Sequence, residues 1–412
     1  TDVLNELQNK FVQRKNQHPE NPALFGVGKD KNLIVIQVEA LQGFVINKKV
    51  NGSEITPNLN KLIKESIYFD NYYCETGLGG TSDAELLANT SLFPIKDGSA
   101  YMRYSGNDFV SLPKTMKANN YDTMVMHAFK PGFWNRSVMY PQLGFNEFIN
   151  KADYEHDEII GMGVSDKSFF RQSLERMKEK EKPFYSFMIT LSSHFPYDND
   201  KKFYSEFDVG EYKNTFFGNY LEAIHYTDEA IGYFINELEK NDMLDDTVLA
   251  IYGDHYAISK DKKDVLAKFL EIDNMNDFNW VKLQKVPMLI RLPEGKGAKV
   301  NHIASGGVDF MPTILNIMGI ESKDIPMLGN DLLNSKEGIA IMRNGYFIDN
   351  EYLSLTADGV AFDIDTGKEY PIDNLKHKIE EVKKRLYYSD IIIENDIMAR
   401  IKDYLKENVI NN

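Results

Sequence analysis

Four apolar stretches of the 412-residue sequence each lead into a residue able to bind a metal ion or move a proton. Residues 32–38 stop at Glu39, residues 122–126 at His127, residues 183–191 just before His194, and residues 247–252 at Gly253-Asp254-His255. Glu39, Asp254 and His255 together offer two carboxylates and an imidazole, a donor set suited to a hard or borderline divalent cation such as Mn2+, Mg2+ or Zn2+. A lone strand-end histidine such as His127 serves equally well as a cap for a neighbouring helix. Asp254-His255, after a buried strand and a glycine, is the sharper signal.

A fifth stretch, Gly77-Leu78-Gly79-Gly80-Thr81-Ser82-Asp83-Ala84-Glu85, presents a hydroxyl residue on a glycine-rich turn. Ser82 and Glu85 have capping-box spacing, which predicts a helix from Ser82 to about Leu92 with Thr81 just outside it. Glycines permit positive φ and close approach, and the free N–H groups of a helix start favour an anion beside Thr81. A threonine hydroxyl is hardly ionised at neutral pH. Coordination to a divalent cation orients it and stabilises its alkoxide, giving a nucleophile without a Ser-His-Asp triad. With Arg136 as a further cation, the set describes a site for a phosphoryl or sulfuryl group. His194 and His127 then protonate the departing oxygen or bind the equatorial ones.

Convergence of these groups needs a common edge. Strands over residues 32–39, 122–127, 183–191, 247–252 and 286–291 alternate with helices over 57–66, 82–92, 112–119, 165–180, within 207–240, and over 309–318. The alternation predicts an α/β fold with a mostly parallel central sheet and helices on both faces, whose strands share one carboxyl edge where ligands bind. Near residue 335 the texture changes to short alternating strands and then a Lys- and Glu-rich helical tail over 376–409, which predicts a small antiparallel sheet. The chain therefore divides into an N-terminal helix and linker (1–29), a catalytic domain (30–334) and a small C-terminal α+β subdomain (335–412).

Composition narrows the partners. A net charge of −15 argues against a nucleic-acid surface, and an acidic protein acting on an anion needs a local positive centre. The single cysteine, Cys74, excludes an intrachain disulfide and reads as packing. No apolar run approaches the roughly 18–20 residues that span a bilayer. The sequence starts Thr1-Asp2-Val3, without an initiator methionine, and is expected to be a piece of a longer protein, monomeric as it stands. His225 reads as structural, His156 as a surface residue, and Asp309 as the cap of the helix at Pro312.

With those residues in view, the chain resembles the extracellular catalytic domain of the lipoteichoic acid synthases, within the sulfatase and alkaline-phosphatase fold. Val38-Glu39-Ala40-Leu41-Gln42, Gly80-Thr81-Ser82-Asp83-Ala84-Glu85, Phe133-Trp134-Asn135-Arg136, Ser193-His194-Phe195-Pro196 and Gly253-Asp254-His255 carry the resemblance over about residues 30–330. It implies that Glu39, Thr81, Asp254 and His255 hold a metal, usually manganese, with Thr81 as nucleophile. It also implies that Trp134, Arg136 and His194 contact a glycerol-phosphate head group, with His127 nearby. The implied reaction moves that group from a phosphatidylglycerol-like lipid, through phospho-threonine, to a growing lipoteichoic acid chain at the outer face of the cell membrane. Membrane helices precede this domain in the family. Gly80 stands where the family often has lysine, beside the head-group position. A relative that primes the polymer, transfers another unit such as phosphoethanolamine, or hydrolyses its ester uses the same fold. A non-catalytic envelope-binding protein fits a complete set of Glu39, Thr81, Asp254 and His255 less well.

Overall fold

Apolar runs of this kind need cover on both faces, and the fold supplies it. The structure, a computed structural model, describes residues 2–181 and 183–408. At its centre is β1 (Asn32–Val38), buried at every position after Asn32. The same sheet contains β2 (Ile67–Phe69), β3 (Asp122–Met126), β4 (Glu147–Ile149), β5 (Phe184–Ile189), β6 (Thr247–Gly253), β7 (Met288–Arg291) and β8 (Lys299–Asn301). Its spatial order is β8-β2-β7-β6-β1-β5-β3-β4. From β6 to β4 all neighbours are parallel, as the alternation predicts. β7 runs against both of its neighbours, because the connection from β6 returns at the carboxyl edge and the strand must start there. In the register, Val38 lies opposite Gly253, so Glu39 and Asp254 leave the sheet side by side.

The main helices are α1 (Asp2–Asn16), α2 (Pro57–Ile63), α3 (Gly80–Thr90), α4 (Arg136–Leu143), α5 (Asp166–Lys178), α6 (Phe216–Lys240), α7 (Phe310–Ile317), α8 (Lys376–Glu394) and α9 (Met398–Glu407), with shorter ones at Ala100–Arg103, Leu112–Ala118, Lys263–Leu270 and Asp277–Lys282. Alternate residues of β1 face different layers. Leu33 and Val35 pack in one core with Leu86, Leu87, Ile314 and Leu386, whereas Ile34, Ile36 and Val38 pack in another with Phe170, Tyr220, Ile231 and Phe234. The C-terminal sheet has five antiparallel strands in chain order, β9 (Ile339–Ile341), β10 (Phe347–Asp349), β11 (Tyr352–Leu355), β12 (Val360–Asp363) and β13 (Glu369–Tyr370).

Two local expectations are corrected. The tail is two helices, broken where Asp396 takes φ +49°, and Val409 lies outside the described residues. Asp309 does not cap α7; its carboxylate accepts from the backbone N–H of Gly306 and of Asn330. Among the described residues no helix is long and apolar enough to cross a membrane.

Candidate active site

The four parallel neighbours β6, β1, β5 and β3 deliver Asp254-His255, Glu39, His194 and His127 to one edge. Gly80–Thr90 brings Thr81 to the same place, because Gln37 on β1 donates its side-chain N–H to the Thr81 carbonyl at 3.3 Å. Thr81 Oγ1 donates to Glu39 Oε2 at 3.2 Å and lies 3.3 Å from His255 Nε2. His255 Nε2 stands 3.4 Å from both Glu39 Oε1 and Asp254 Oδ2, and His194 Nε2 lies 4.0 Å from Glu39 Oε1.

The scaffold holds these groups tightly. Thr190 Oγ1 accepts the Glu39 N–H at 3.0 Å, Ser193 Oγ donates to the Glu39 carbonyl at 2.6 Å, and Asp254 Oδ1 accepts the Ala40 N–H at 2.8 Å. Ala40, Gly80, Trp134 and Asn135 all take positive φ. Left-handed backbone at non-glycine residues is strained and persists where surrounding contacts over-determine it.

Charge is concentrated here. Burial works to raise the Glu39 carboxyl, but the His255 imidazolium, and His194 beyond it, outweigh burial and hold it well below the carboxylate range. Burial and the Glu39 charge push Asp254 the other way. Burial also works against a charged His255, yet Asp254 and Glu39 raise it well above its ordinary value. Two buried carboxylates thus compete for one cationic partner, and Asp254 Oδ2 has no hydrogen-bond partner among the described residues. A divalent cation satisfies both deficits. The donor atoms of Glu39, Asp254 and His255 lie within 4.8 Å of one another, so the residues present fit one.

Residues 31–320 match the sulfatase family. The chain belongs to the sulfatase family. Among its relatives, it is 37% identical to lipoteichoic acid synthase 2 of Bacillus subtilis (strain 168) over 401 residues, covering 96% of this chain and 61% of that protein. It is 34% identical to lipoteichoic acid synthase of Staphylococcus aureus (strain USA300) over 419 residues, covering 99% of this chain and 64% of that protein. The chain therefore spans under two thirds of the length of these relatives. The crystal structure of the lipoteichoic acid synthase LtaP from Listeria monocytogenes superposes with a TM-score of 0.86 at 30% identity, covering 93% of this chain and 98% of that one.

In this sulfatase-family site the remaining expected residues form an outer layer. His127 is fully buried and its Nδ1–H donates to the Ile189 carbonyl at 2.9 Å. Trp134 lies over the turn that carries Thr81, its ring 3.8 Å from where a Cβ on Gly80 would sit. Arg136 is not open to solvent. Its Nη2 donates to Glu85 Oε2 at 2.8 Å, Tyr140 donates to the other Glu85 oxygen, and Nη1 is buried without a partner among the described residues.

That arrangement overturns the capping box. Glu85 is consumed by Arg136, and Ser82 Oγ donates to the Gly79 carbonyl, so α3 starts at Gly80 and includes Thr81. Asp83 does the local work instead, its Oδ2 accepting the N–H groups of Gly77 and Gly79 at 2.9 Å each. The polar Gln37 within an apolar strand was a readable sign of a positioning role, whereas nothing in sequence spacing marked Thr190 or Ser193. His225 is structural as expected, stacked on Phe207 with its Nδ1–H donating to the Ile55 carbonyl. Cys74 is half-buried beside Thr76.

Proposed function

We propose that this chain is the catalytic domain of a metal-dependent phosphotransferase that moves glycerol phosphate from a phosphatidylglycerol-like lipid to a lipoteichoic acid chain. The convergence of Thr81 Oγ1 on Glu39 and His255 within about one hydrogen-bond length carries this reading, and the likeness to lipoteichoic acid synthases supports it. Glu39, Asp254, His255 and Thr81 would hold the cation, Mn2+ first among the candidates and Mg2+ or Zn2+ after it. A bound divalent cation supplies positive charge that favours the threonine alkoxide and offsets charge on the phosphate oxygens.

Thr81 Oγ1, its proton lost to solvent, attacks the head-group phosphorus. The bond from phosphorus to the diacylglycerol oxygen breaks, and His194 Nε2 gives that oxygen a proton. Phospho-Thr81 now carries the glycerol. A hydroxyl at the end of the polymer then attacks phosphorus, His194 takes its proton, and the bond to Thr81 breaks. His194 is fit for the role because its Nδ1–H is spent on the Phe195 carbonyl at 2.7 Å, which leaves Nε2 facing the site. Trp134 and Arg136 Nη1 would bind the head group, with His127 behind them. The place of action belongs to the same proposal, the outer face of the cell membrane, reached through membrane helices beyond the residues present.

Gly80 favours a second reading. With φ +48° and only the Trp134 ring within van der Waals reach of a Cβ, it brings no cation to the head group. Priming, transfer of a different phosphorylated unit, or hydrolysis follows from that. Intact-mass spectrometry with Mn2+ and phosphatidylglycerol separates the readings. A glycerol-phosphate adduct on Thr81 with diacylglycerol released is expected, absent in folded Thr81→Ala and after chelation. A metal-loaded, folded protein that gives neither product overturns the glycerol-phosphate assignment.

A further inference from the structure

The mouth of the site is apolar on an otherwise acidic protein. Of the nine large hydrophobic side chains exposed among the described residues, six flank the site: Leu78, Met102, Phe133, Val138, Phe195 and Tyr256. Leu78 precedes Thr81 by three residues, Phe195 follows His194, Tyr256 follows His255, and Phe133 and Val138 bracket Trp134 and Arg136. Met102 sits on the short helix Ala100–Arg103, which is joined to this rim by the Asn135 side chain donating to the Tyr101 carbonyl at 2.9 Å. Leu78 and Phe195 are 74% and 62% exposed, so they are not core residues that happen to reach the surface.

Charge is segregated in the same place. The rim segments 76–80, 100–104, 129–138, 194–198 and 255–263 carry Arg103, Lys130, Lys262 and Lys263 against Asp198 and Asp261. Arg136 and Lys260 are also present but are paired with Glu85 and Asp277. The whole chain carries −15. Lys262 Nζ stands 4.7 Å from the centre of the Phe216 ring, and Phe216 is 6.0 Å from Phe195, which places a cation just behind an exposed aromatic tip. Exposed aromatic and aliphatic side chains backed by Lys and Arg are what lies stably in the interface of an anionic bilayer. A docked protein would close the mouth through which a head group must pass, whereas a bilayer presents head groups to it.

We propose that this rim docks the carboxyl edge of the sheet onto the surface of an anionic phospholipid bilayer, so that the site meets a head group still seated in the membrane. The proposal rests on the reading of the donor as a membrane lipid, and adds a membrane contact made by this chain itself. Co-sedimentation with vesicles of equal parts phosphatidylglycerol and phosphatidylcholine, against pure phosphatidylcholine, tests it. The chain is expected to bind the mixed vesicles, and the triple variant Leu78→Ser, Phe195→Ser, Tyr256→Ser to bind at least about tenfold more weakly, each lost apolar contact being worth a sizeable part of a decade in affinity. The triple variant is expected to keep the wild-type urea-unfolding midpoint, so that lost sedimentation reports the rim and not the fold. The charge variant Lys130→Glu, Lys262→Glu is expected to lose the preference for anionic vesicles while keeping the wild-type unfolding midpoint. If wild type and both variants sediment alike, or none sediments while micellar lipid is still consumed, the docking surface is overturned and the donor assignment stands. If vesicles are bound through the rim but no form of the lipid releases diacylglycerol, docking stands and the donor assignment fails.

Discussion

His127 shows how one residue serves a charged site without joining it. A carbonyl can only accept, so the bond to Ile189 fixes the proton on Nδ1 and leaves Nε2 as an acceptor. Burial, with the Arg136 charge adding to it, pushes the imidazole down to about 3, so it is neutral near pH 7. The sign follows from linkage. The unfolded chain takes up a proton near pH 6.5 while the native state does not, so stability is fully present above that value and is lost as pH falls toward 3. The slope from this one group approaches ~1.4 kcal/mol per pH unit, or about 2 kcal/mol between pH 6.5 and 5. His127→Gln keeps a donor for Ile189 and removes the titration. Urea unfolding at pH 7 and pH 5 should show the variant losing about 2 kcal/mol less than wild type over that interval. Equal losses in the two proteins would mean that the imidazole is charged in the native state.

At the scale of elements, the start of α3 decides where Thr81 stands. Gly79 lies so close to Asp83 that a Cβ would come within 2.2 Å of its Oδ1, and Asp83 in turn holds the N–H groups of Gly77 and Gly79. The turn and the carboxylate are therefore one device. Asp83→Ala frees two N–H groups at a helix start, a change worth about 1–2 kcal/mol, and lets the 77–80 turn move. Turnover should fall far more than global stability, and limited proteolysis should open a cut near the exposed Leu78. A variant with full turnover and a protected turn would remove Asp83 from this role. The same element marks the limit of reading by sequence. The sheet, its carboxyl edge and the convergence of Glu39, Thr81, His194, Asp254 and His255 were legible, because apolar runs ending in polar groups report buried parallel strands directly. Ser82 and Glu85 were misread because local spacing cannot show that Glu85 is claimed by Arg136, fifty-one positions away. For the same reason Arg136 read as an open cation, although its charge is already half spent inside the protein.

For the whole molecule, the decisive contacts join the two ends of the chain to the middle. Leu7 and Phe11 of α1 and Val382 and Leu386 of α8 belong to the same apolar core as Leu33 and Val35 of the central strand. Glu75, just ahead of the 77–80 turn, accepts from the Val308 N–H and from the Ile341 N–H on β9, tying the C-terminal sheet to the body of the fold. Arg343 pairs with Asp390 through both of its terminal nitrogens, at 2.8 Å each. Arg14 on α1 is the most committed of these links. Its guanidinium donates to the carbonyls of Met327 and Gly329 at 2.7 and 2.5 Å and to Asn330 Oδ1 at 3.1 Å. Beside it, Lys15 donates to the Leu405 carbonyl at 2.7 Å and so holds α9 as well. Arg14→Ala strands two backbone carbonyls and detaches α1 from the 327–330 segment, and charge-assisted bonds of this kind predict a loss of about 2–4 kcal/mol. None of the Arg14 partners touches Glu39, Thr81, Asp254 or His255, so turnover below the unfolding transition should stay near wild type. Urea unfolding followed by tryptophan fluorescence and by circular dichroism reads both consequences. Because the ends share a core with the central sheet, the two probes should move together to a lower midpoint in one step. An unchanged midpoint would show that α1 is an appendage, and an early separate step would show that the chain ends fold apart from the sheet that carries the site.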